Sequence, residues 1–295
     1  MLEELRWKTS VSATCLHTAV CRARGMEAAD AALAAAVTPA ADALIVELNA
    51  AGWPTPAVLE ELTSLAAEID NNRELVSRVI ARLRLSIADV AFPVRVAGAI
   101  ADLEAAVRRT QPQLAEELPA RIRPIREQWE ARAPGMLIEI ARLTDPMIVP
   151  QAAEIVLVSP YVGGHGLAHA AQNRVTLEAV LFNPLPKLPE VVRLAWLISQ
   201  LNADLPMLTD VLPARRSLAA MKLAMIAPVL AAAEAVELGQ CDEAAVTGAL
   251  RAWQPQSNAE QTAATIWSWW QAWMEHPTRW PVAVAALEQM LTKDI

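Results

Sequence analysis

Two histidines, His165 and His169, stand four residues apart in the stretch Tyr161-Val-Gly-Gly-His-Gly-Leu-Ala-His169. On a helix that spacing brings both imidazoles to one side, where they could share a zinc ion. Glu178 is the nearest downstream carboxylate able to complete such a centre, and the chemistry would be metal binding or metal-dependent hydrolysis. Two features oppose this reading. Gly166 stands where a hydrolase of this spacing keeps its general-base glutamate, and the glycines at 163, 164 and 166 disfavour a helix. A Gly-rich loop with two polar side chains is the simpler expectation. No cofactor is expected; zinc on His165, His169 and Glu178 is the alternative.

Cys15, His17 and Cys21 are a second set of soft ligands. Positions 17 and 21 lie a helical turn apart while 15 points elsewhere, so buried, inert cysteines are the default. Cys241 is isolated. Ser159 and Ser217 lack a Gly-x-Ser-x-Gly elbow. Gly163-Gly-His-Gly166 has neither a P-loop lysine nor a dinucleotide-binding continuation. No catalytic residue set is complete, and the reading leans away from an enzyme.

The elements that must position these residues are mostly helical. Ser10 caps a first segment running to Arg24, a second covers Met26 to Val37, and a third follows Pro39 to Ala51. Pro112 to Leu143 predicts two or three short helices, with Pro124 kinking or breaking the run. Near residue 150 the pattern changes. Glu154-Ile-Val-Leu-Val-Ser159 and Arg174 to Phe182 are β-branched, apolar runs of strand type. Helix returns from Pro189 to Ala203, then after Ala214, Asp242, Asn258 and Arg279. The expected fold is mainly α: a helical part over 1–148, and an α+β part over 149–295 whose small sheet, about 154–182, packs on helices. The two may share one core.

A strand ending in Leu181-Phe-Asn-Pro184, then the helix Pro189-Glu-Val-Val-Arg-Leu-Ala-Trp-Leu-Ile-Ser-Gln-Leu-Asn202, resembles the edge strand and active-site helix of zincin metallopeptidases. In that family the edge strand lines the substrate cleft and the helix carries His-Glu-x-x-His. The resemblance implies that Trp196 and Gln200 replace the histidines and Leu197 the glutamate. It further implies a candidate cleft of Glu178, Asn183, Trp196, Gln200 and Glu234, with Glu234 or Glu237 where a third ligand once stood. The implied protein is a degenerate peptidase-like scaffold without hydrolytic zinc chemistry.

Of the aromatic residues, 10 are Trp, against 2 Phe and 1 Tyr. Trp267, Trp269, Trp270 and Trp273 share one expected helix, flanked by Trp253 and Trp280, and form a band wider than one core face. Packing within the chain is the first expectation. A homo-oligomer or protein partner docking on this band is the alternative. The remaining bias is rich in Ala and Arg, with lysine only at 8, 187, 222 and 293, and points to a GC-rich bacterial genome.

A net charge of -8 argues against nucleic acid as partner. Arg121, Arg123, Arg126 and Arg132 are offset by Glu127, Glu130 and Glu139 and predict an ion-paired helix face. The start of the chain has no apolar signal core, and the window Leu218–Leu238 is interrupted by Lys222, Pro228 and Glu234. A cytoplasmic protein with no membrane span is therefore expected.

Overall fold

A computed structural model of the protein describes residues 2–87, 89–181, 185, 187–255 and 258–293. Strand β1 (Glu4–Thr9) opens the chain. It is followed by helices α1 (Val11–Ala23), α2 (Ala31–Ala50), α3 (Thr55–Leu65), α4 (Asn72–Leu83), α5 (Phe92–Thr110), α6 (Leu114–Ala120) and α7 (Ile122–Leu143). Next come β2 (Ala152–Val158), β3 (Gly166–His169) and β4 (Arg174–Glu178). The described chain finishes with α8 (Glu190–Ile198), α9 (Pro206–Thr209), α10 (Ala214–Ala224), α11 (Ile226–Ala235), α12 (Glu243–Trp253), α13 (Ala259–Glu275) and α14 (Trp280–Lys293). The fold is mainly α with one small mixed sheet, as the sequence predicts.

The four strands are ordered β1-β2-β4-β3. β1, β2 and β4 run parallel, and β3 lies antiparallel on β4 at one edge. Ile155, Val156, Leu157 and Val158 in β2 are fully buried, as are Val175 and Leu177 in β4, which is the expected composition of central parallel strands. α1 follows β1 directly and packs on β2, while α8 lies against β3 and β4 on one side and α7 and α11 on the other. One apolar core runs from Ala13 to Leu287 and spans the 148/149 boundary. The first strand of the helical part completes the sheet of the second, which joins the two structurally.

Several local expectations are corrected. β1 is a strand the sequence reading passed over. It is half-exposed, and its charges are answered by neighbours: Arg6 pairs with Glu4 at 2.7 Å and Lys8 with Glu154 at 2.7 Å. The strand at 174–178 lies inside the sheet, and the edge is the four-residue β3 inserted antiparallel beside it. The expected edge strand is therefore a central one. The segments before and after Pro39 form one helix, α2. Pro39 and Ala35 both face solvent, so the carbonyl that loses its amide partner reaches water. Pro124 falls in the first turn of α7, where a missing N–H costs no helical bond, and the break comes earlier, at Arg121.

Other expectations are met. Ser10 accepts from the Ala13 amide at 3.0 Å and caps α1, and Asp242 accepts from Ala245 at 2.7 Å and caps α12. On α7, Arg123 pairs with Glu127 at 2.7 Å and Arg126 with Glu130 at 2.6 Å, each one helical turn apart. Two helical stretches, Ala31–Ala50 and Ala214–Ala235, have the length and apolar composition of a membrane span. The first lies along α5 and α1, and 61% of the second is buried within the protein.

The junction of sheet and α8 is tight at Gly166. A Cβ there would stand 2.5 Å from Leu197 Cδ1 and 2.9 Å from the Thr176 carbonyl oxygen. Gly98, on the exposed side of α5, has nothing within 4 Å of its Cβ position. Denaturant unfolding is expected to show Gly166→Ala losing about 1–3 kcal/mol, while Gly98→Ala gains about 0.5–1 kcal/mol.

Candidate functional site

The C-terminal ends of parallel strands are where open α/β sheets commonly present ligand-binding loops. Here β2 leads into the loop 159–165, and β4 ends at Glu178 directly beneath it. The Glu178 side chain is fully buried. Its Oε1 accepts the amides of Tyr161 and Val162, both at 2.9 Å, and the His17 imidazole at 3.0 Å. Its Oε2 accepts the amides of Gly163 at 2.9 Å, Gly164 at 2.6 Å and His165 at 3.1 Å. Five consecutive backbone N–H groups thus close around one carboxylate, the reverse of the usual anion nest in that the anion is part of the chain.

The glycines make this possible. Gly163 has φ +92° and Gly164 φ +135°, conformations that turn successive amides to one side and that L side chains rarely adopt. Gly164 also lies close under the Arg193 guanidinium, where a Cβ would come within 2.6 Å of Nη1. Arg193 itself is buried beside Glu190, 3.1 Å away, as an ion pair outside hydrogen-bond alignment.

Burial alone would raise the Glu178 pKa. The His17 hydrogen bond and charge, together with the amides of Val162 and Gly164, reverse that and hold it at about 2. Burial would likewise lower the His17 pKa, but Cys21 and Glu178 hold it up at about 10. The pair is accordingly an imidazolium–carboxylate pair inside the protein. Cys21 Sγ lies 3.4 Å from the same His17 Nε2, one helical turn along α1. Cys15, as its position on the helix predicts, points elsewhere, and burial pushes its thiol up to about 12.

His17, Cys21 and Glu178 offer ligand atoms within 4.8 Å of one another. The donor chemistry does not suit a metal. The carboxylate has about four lone-pair sites, and six donors already converge on it. A cation would have to displace several amides at once. Nor is this a nucleophilic triad: cysteine and carboxylate meet the same ring nitrogen, Nδ1 has no partner among the described residues, and Cys21 is fully buried.

The sequence-predicted residues fall into separate places. His165 and His169 bracket an extended strand, so four residues separate them by about 13 Å rather than one helical turn. His165 gives its backbone amide to Glu178 and stacks on His17 with ring centres 5.6 Å apart. His169 is bonded to Thr176 Oγ1 at 3.0 Å. The set His165, His169 and Glu178 therefore does not converge, because the loop and strand replace the helix that the spacing requires. Trp196 and Gln200 are both buried. Trp196 Nε1 donates to the Lys222 carbonyl at 2.8 Å, and Gln200 Nε2 donates to the Trp196 carbonyl at 2.9 Å. Glu234 is exposed at the end of α11, where it accepts the Cys241 amide at 3.2 Å, away from the Glu178 cluster. Asn183 lies outside the described residues.

Among the tryptophans, Trp269 and Trp270 are buried, Trp269 against α14, 5.8 Å from Trp280 and with its N–H on the Ala283 carbonyl at 2.8 Å. Trp267 and Trp273 are half-buried, and Trp273 stacks on Trp270 at 5.4 Å. Within the chain α13 packs on both α12 and α14, as the first expectation has it.

Beside the Glu178 cluster is a cavity of about 810 Å³, lined among others by Arg24, Val162, His165, Lys222 and Trp253. That volume lies within the range of small-molecule sites, about 300–1,000 Å³. Trp196 forms the layer behind it, stacked on Trp253 with ring centres 5.2 Å apart. Sequence reasoning missed Arg24 and Lys222, which belong to no motif and meet only through the fold.

Truncating the charge that organises the loop should be costly. Glu178→Gln leaves the His17 imidazolium unpaired and turns an amide donor toward backbone donors, so urea unfolding is expected to show a loss of about 3–5 kcal/mol.

Stability should peak near pH 6.5. Above that value an unfolded chain releases the His17 proton that the folded chain keeps up to about pH 10, so stability falls as pH rises through this window. Below it the unfolded chain protonates His165 and His169. Burial keeps both neutral in the fold, the second down to about pH 3, and stability falls. Below pH 4.5 Glu178, folded pKa about 2, adds its own loss. Replacing His169 with Gln should flatten the limb between pH 6.5 and 4.5 in a series of unfolding curves and leave the alkaline limb in place.

Compared with protein-family models, curated proteins and solved structures, the chain matches none.

Proposed function

We propose that the chain is a non-catalytic, peptidase-like scaffold whose cleft binds a ligand instead of hydrolysing one. The observation that carries the reading is the use to which α8 puts the positions where a zincin holds its metal. Trp196 packs face to face with Trp253 and spends its N–H on the Lys222 carbonyl; the helix expected to reach Ala203 ends at Ile198, so Gln200 lies past α8 and donates its amide back to the Trp196 carbonyl. Leu197 packs against Gly166. No side chain at these three positions is a zinc ligand or a general base.

The surrounding arrangement supports the same reading. The helix α8 lies against an antiparallel edge strand, but that strand is β3 and not the 174–182 stretch to which the resemblance gave the edge, so the likeness is one of layout only. The cavity is flanked by the Trp196–Trp253 stack and by the loop that Glu178 holds in place. A rigid wall of this kind suits selective binding, since little conformational entropy is lost when a ligand enters a preformed site.

Elemental analysis of the protein purified without chelator, combined with a broad peptide-library digest, tests the proposal. Substoichiometric zinc and no turnover are expected. One zinc per chain together with chelator-sensitive peptide cleavage would contradict it.

A further inference from the structure

Among the described residues β1 ends the sheet, with β2 on one side and no strand on the other. Backbone groups alternate sides along a strand. Glu4 donates its amide to the Gln151 carbonyl at 3.2 Å, so in register with β2 the even residues Glu4, Arg6 and Lys8 turn their N–H and C=O groups toward β2. The odd residues Leu5 and Trp7 then turn theirs outward. Helices α6 and α7 touch β1, but no backbone group of either bonds to it among the described residues. A row of unspent backbone groups on a strand edge is a template for another strand.

The occupant that the charges select is a second copy of β1. Two copies meeting by the same edge are related by a twofold axis, so the strands run antiparallel. With odd residues facing outward, odd must meet odd, and every allowed register is centred on one residue. Centring on Glu3, Glu4, Arg6 or Lys8 sets that charge against itself, and centring on Trp7 sets Arg6 against Lys8. Centring on Leu5 sets Glu4 against Arg6 of the copy, and Arg6 against its Glu4. Those two residues then occupy the non-hydrogen-bonded positions, where facing side chains come closest, about 4.5 Å between Cα atoms.

Both side chains are exposed, Glu4 by 55% and Arg6 by 68%, and they already pair within the strand at 2.7 Å. Two copies therefore bring together a square of alternating charge. Leu5 sits on the axis and exchanges both backbone hydrogen bonds with its counterpart. Its half-buried side chain borders a hollow of about 160 Å³ lined by Leu2, Trp129 and Leu137 among others, so the pairing adds apolar contact on that face. Charges on an edge strand ordinarily deter pairing. Here they deter every register but one.

We infer that the protein forms a twofold dimer whose two sheets join through β1, antiparallel and centred on Leu5, with Glu4 of each copy against Arg6 of the other. No residue of β1 lines the cavity beside Glu178, so the inference stands apart from the binding-cleft reading.

Sedimentation equilibrium of the full chain over a micromolar concentration series tests it. The wild type is expected to reach twice the chain mass. Glu4→Arg and Arg6→Glu each set like charges against one another across the axis and should weaken the dimer at least tenfold. The exchanged double variant Glu4→Arg/Arg6→Glu restores opposite charges and should recover wild-type affinity to within about threefold. An equimolar mixture of the two single variants should form a heterodimer of similar affinity, since each supplies the charge the other lacks. Circular dichroism and unfolding transitions matching wild type establish that each variant is folded.

A wild type that keeps the mass of one chain throughout the series would overturn the inference. A dimer unmoved by either single variant would do the same and put the interface on another surface. Single variants that dissociate, with no recovery in the double variant or in the mixture, would overturn the register and with it the assignment.

Discussion

A buried carboxylate surrounded by five backbone amides and one imidazolium is the contact on which the centre of this protein depends. A charge taken out of water is tolerated only where hydrogen bonds replace its hydration, and Glu178 has six. The arrangement works in both directions. The loop 161–165 has no regular hydrogen-bonding partner of its own, so its amides would be buried without acceptors if Glu178 were absent. The carboxylate in turn would be unsupportable without the loop. His17 ties both to α1, and through α1 to β1, so the first residues of the chain and the middle of the chain are fixed by one cluster.

What this provides is a rigid wall. Val162 and His165, two residues of the clasped loop, line the cavity, and the Trp196–Trp253 stack flanks it from α8 and α12. Under the proposed reading, the positions that would hold a peptidase's metal carry an indole stack and, just past the end of α8, a glutamine bonded back to the Trp196 carbonyl. The chemistry of bond cleavage needs a polarising ion or a positioned base, and neither is available at those positions. The surrounding geometry of sheet, edge strand and helix is what a cleft requires. Binding without turnover is the function we propose on that ground.

The sequence was informative where physics is local. Helical periodicity, Ser10 and Asp242 as caps, and the ion pairs along α7 depend on neighbours within a turn or so, and each is visible from spacing alone. Strand β1 was missed although Glu4, Arg6 and Lys8 alternate with Leu5 and Trp7 at the strand period; with two apolar residues the signal is short, and the pairing that stabilises it is with β2 some 150 residues later in the chain. The clasp is a sharper case. Glu178 was recognisable as chemically interesting, but its partners were not: His17 is 161 positions away, and the other five donors are backbone groups, which any residue carries. The signal that pointed to them was the run of glycines at 163, 164 and 166, which reads first as a failed helix. Its meaning as a ring of inward-turned amides appears only once an anion is seen at its centre. Lys222 and Arg24 had no sequence signal at all, because a cavity is defined by elements that meet from distant parts of the chain.

Amide hydrogen exchange resolved residue by residue examines the clasp most directly, because irregular surface loops exchange quickly and groups bonded within a cooperative core do not. The account predicts that the amides of Tyr161, Val162, Gly163, Gly164 and His165 exchange only through near-global unfolding, as slowly as those of β2 and β4. Exchange of these five amides at the rate of an open loop, in a protein whose strands remain protected, would contradict it.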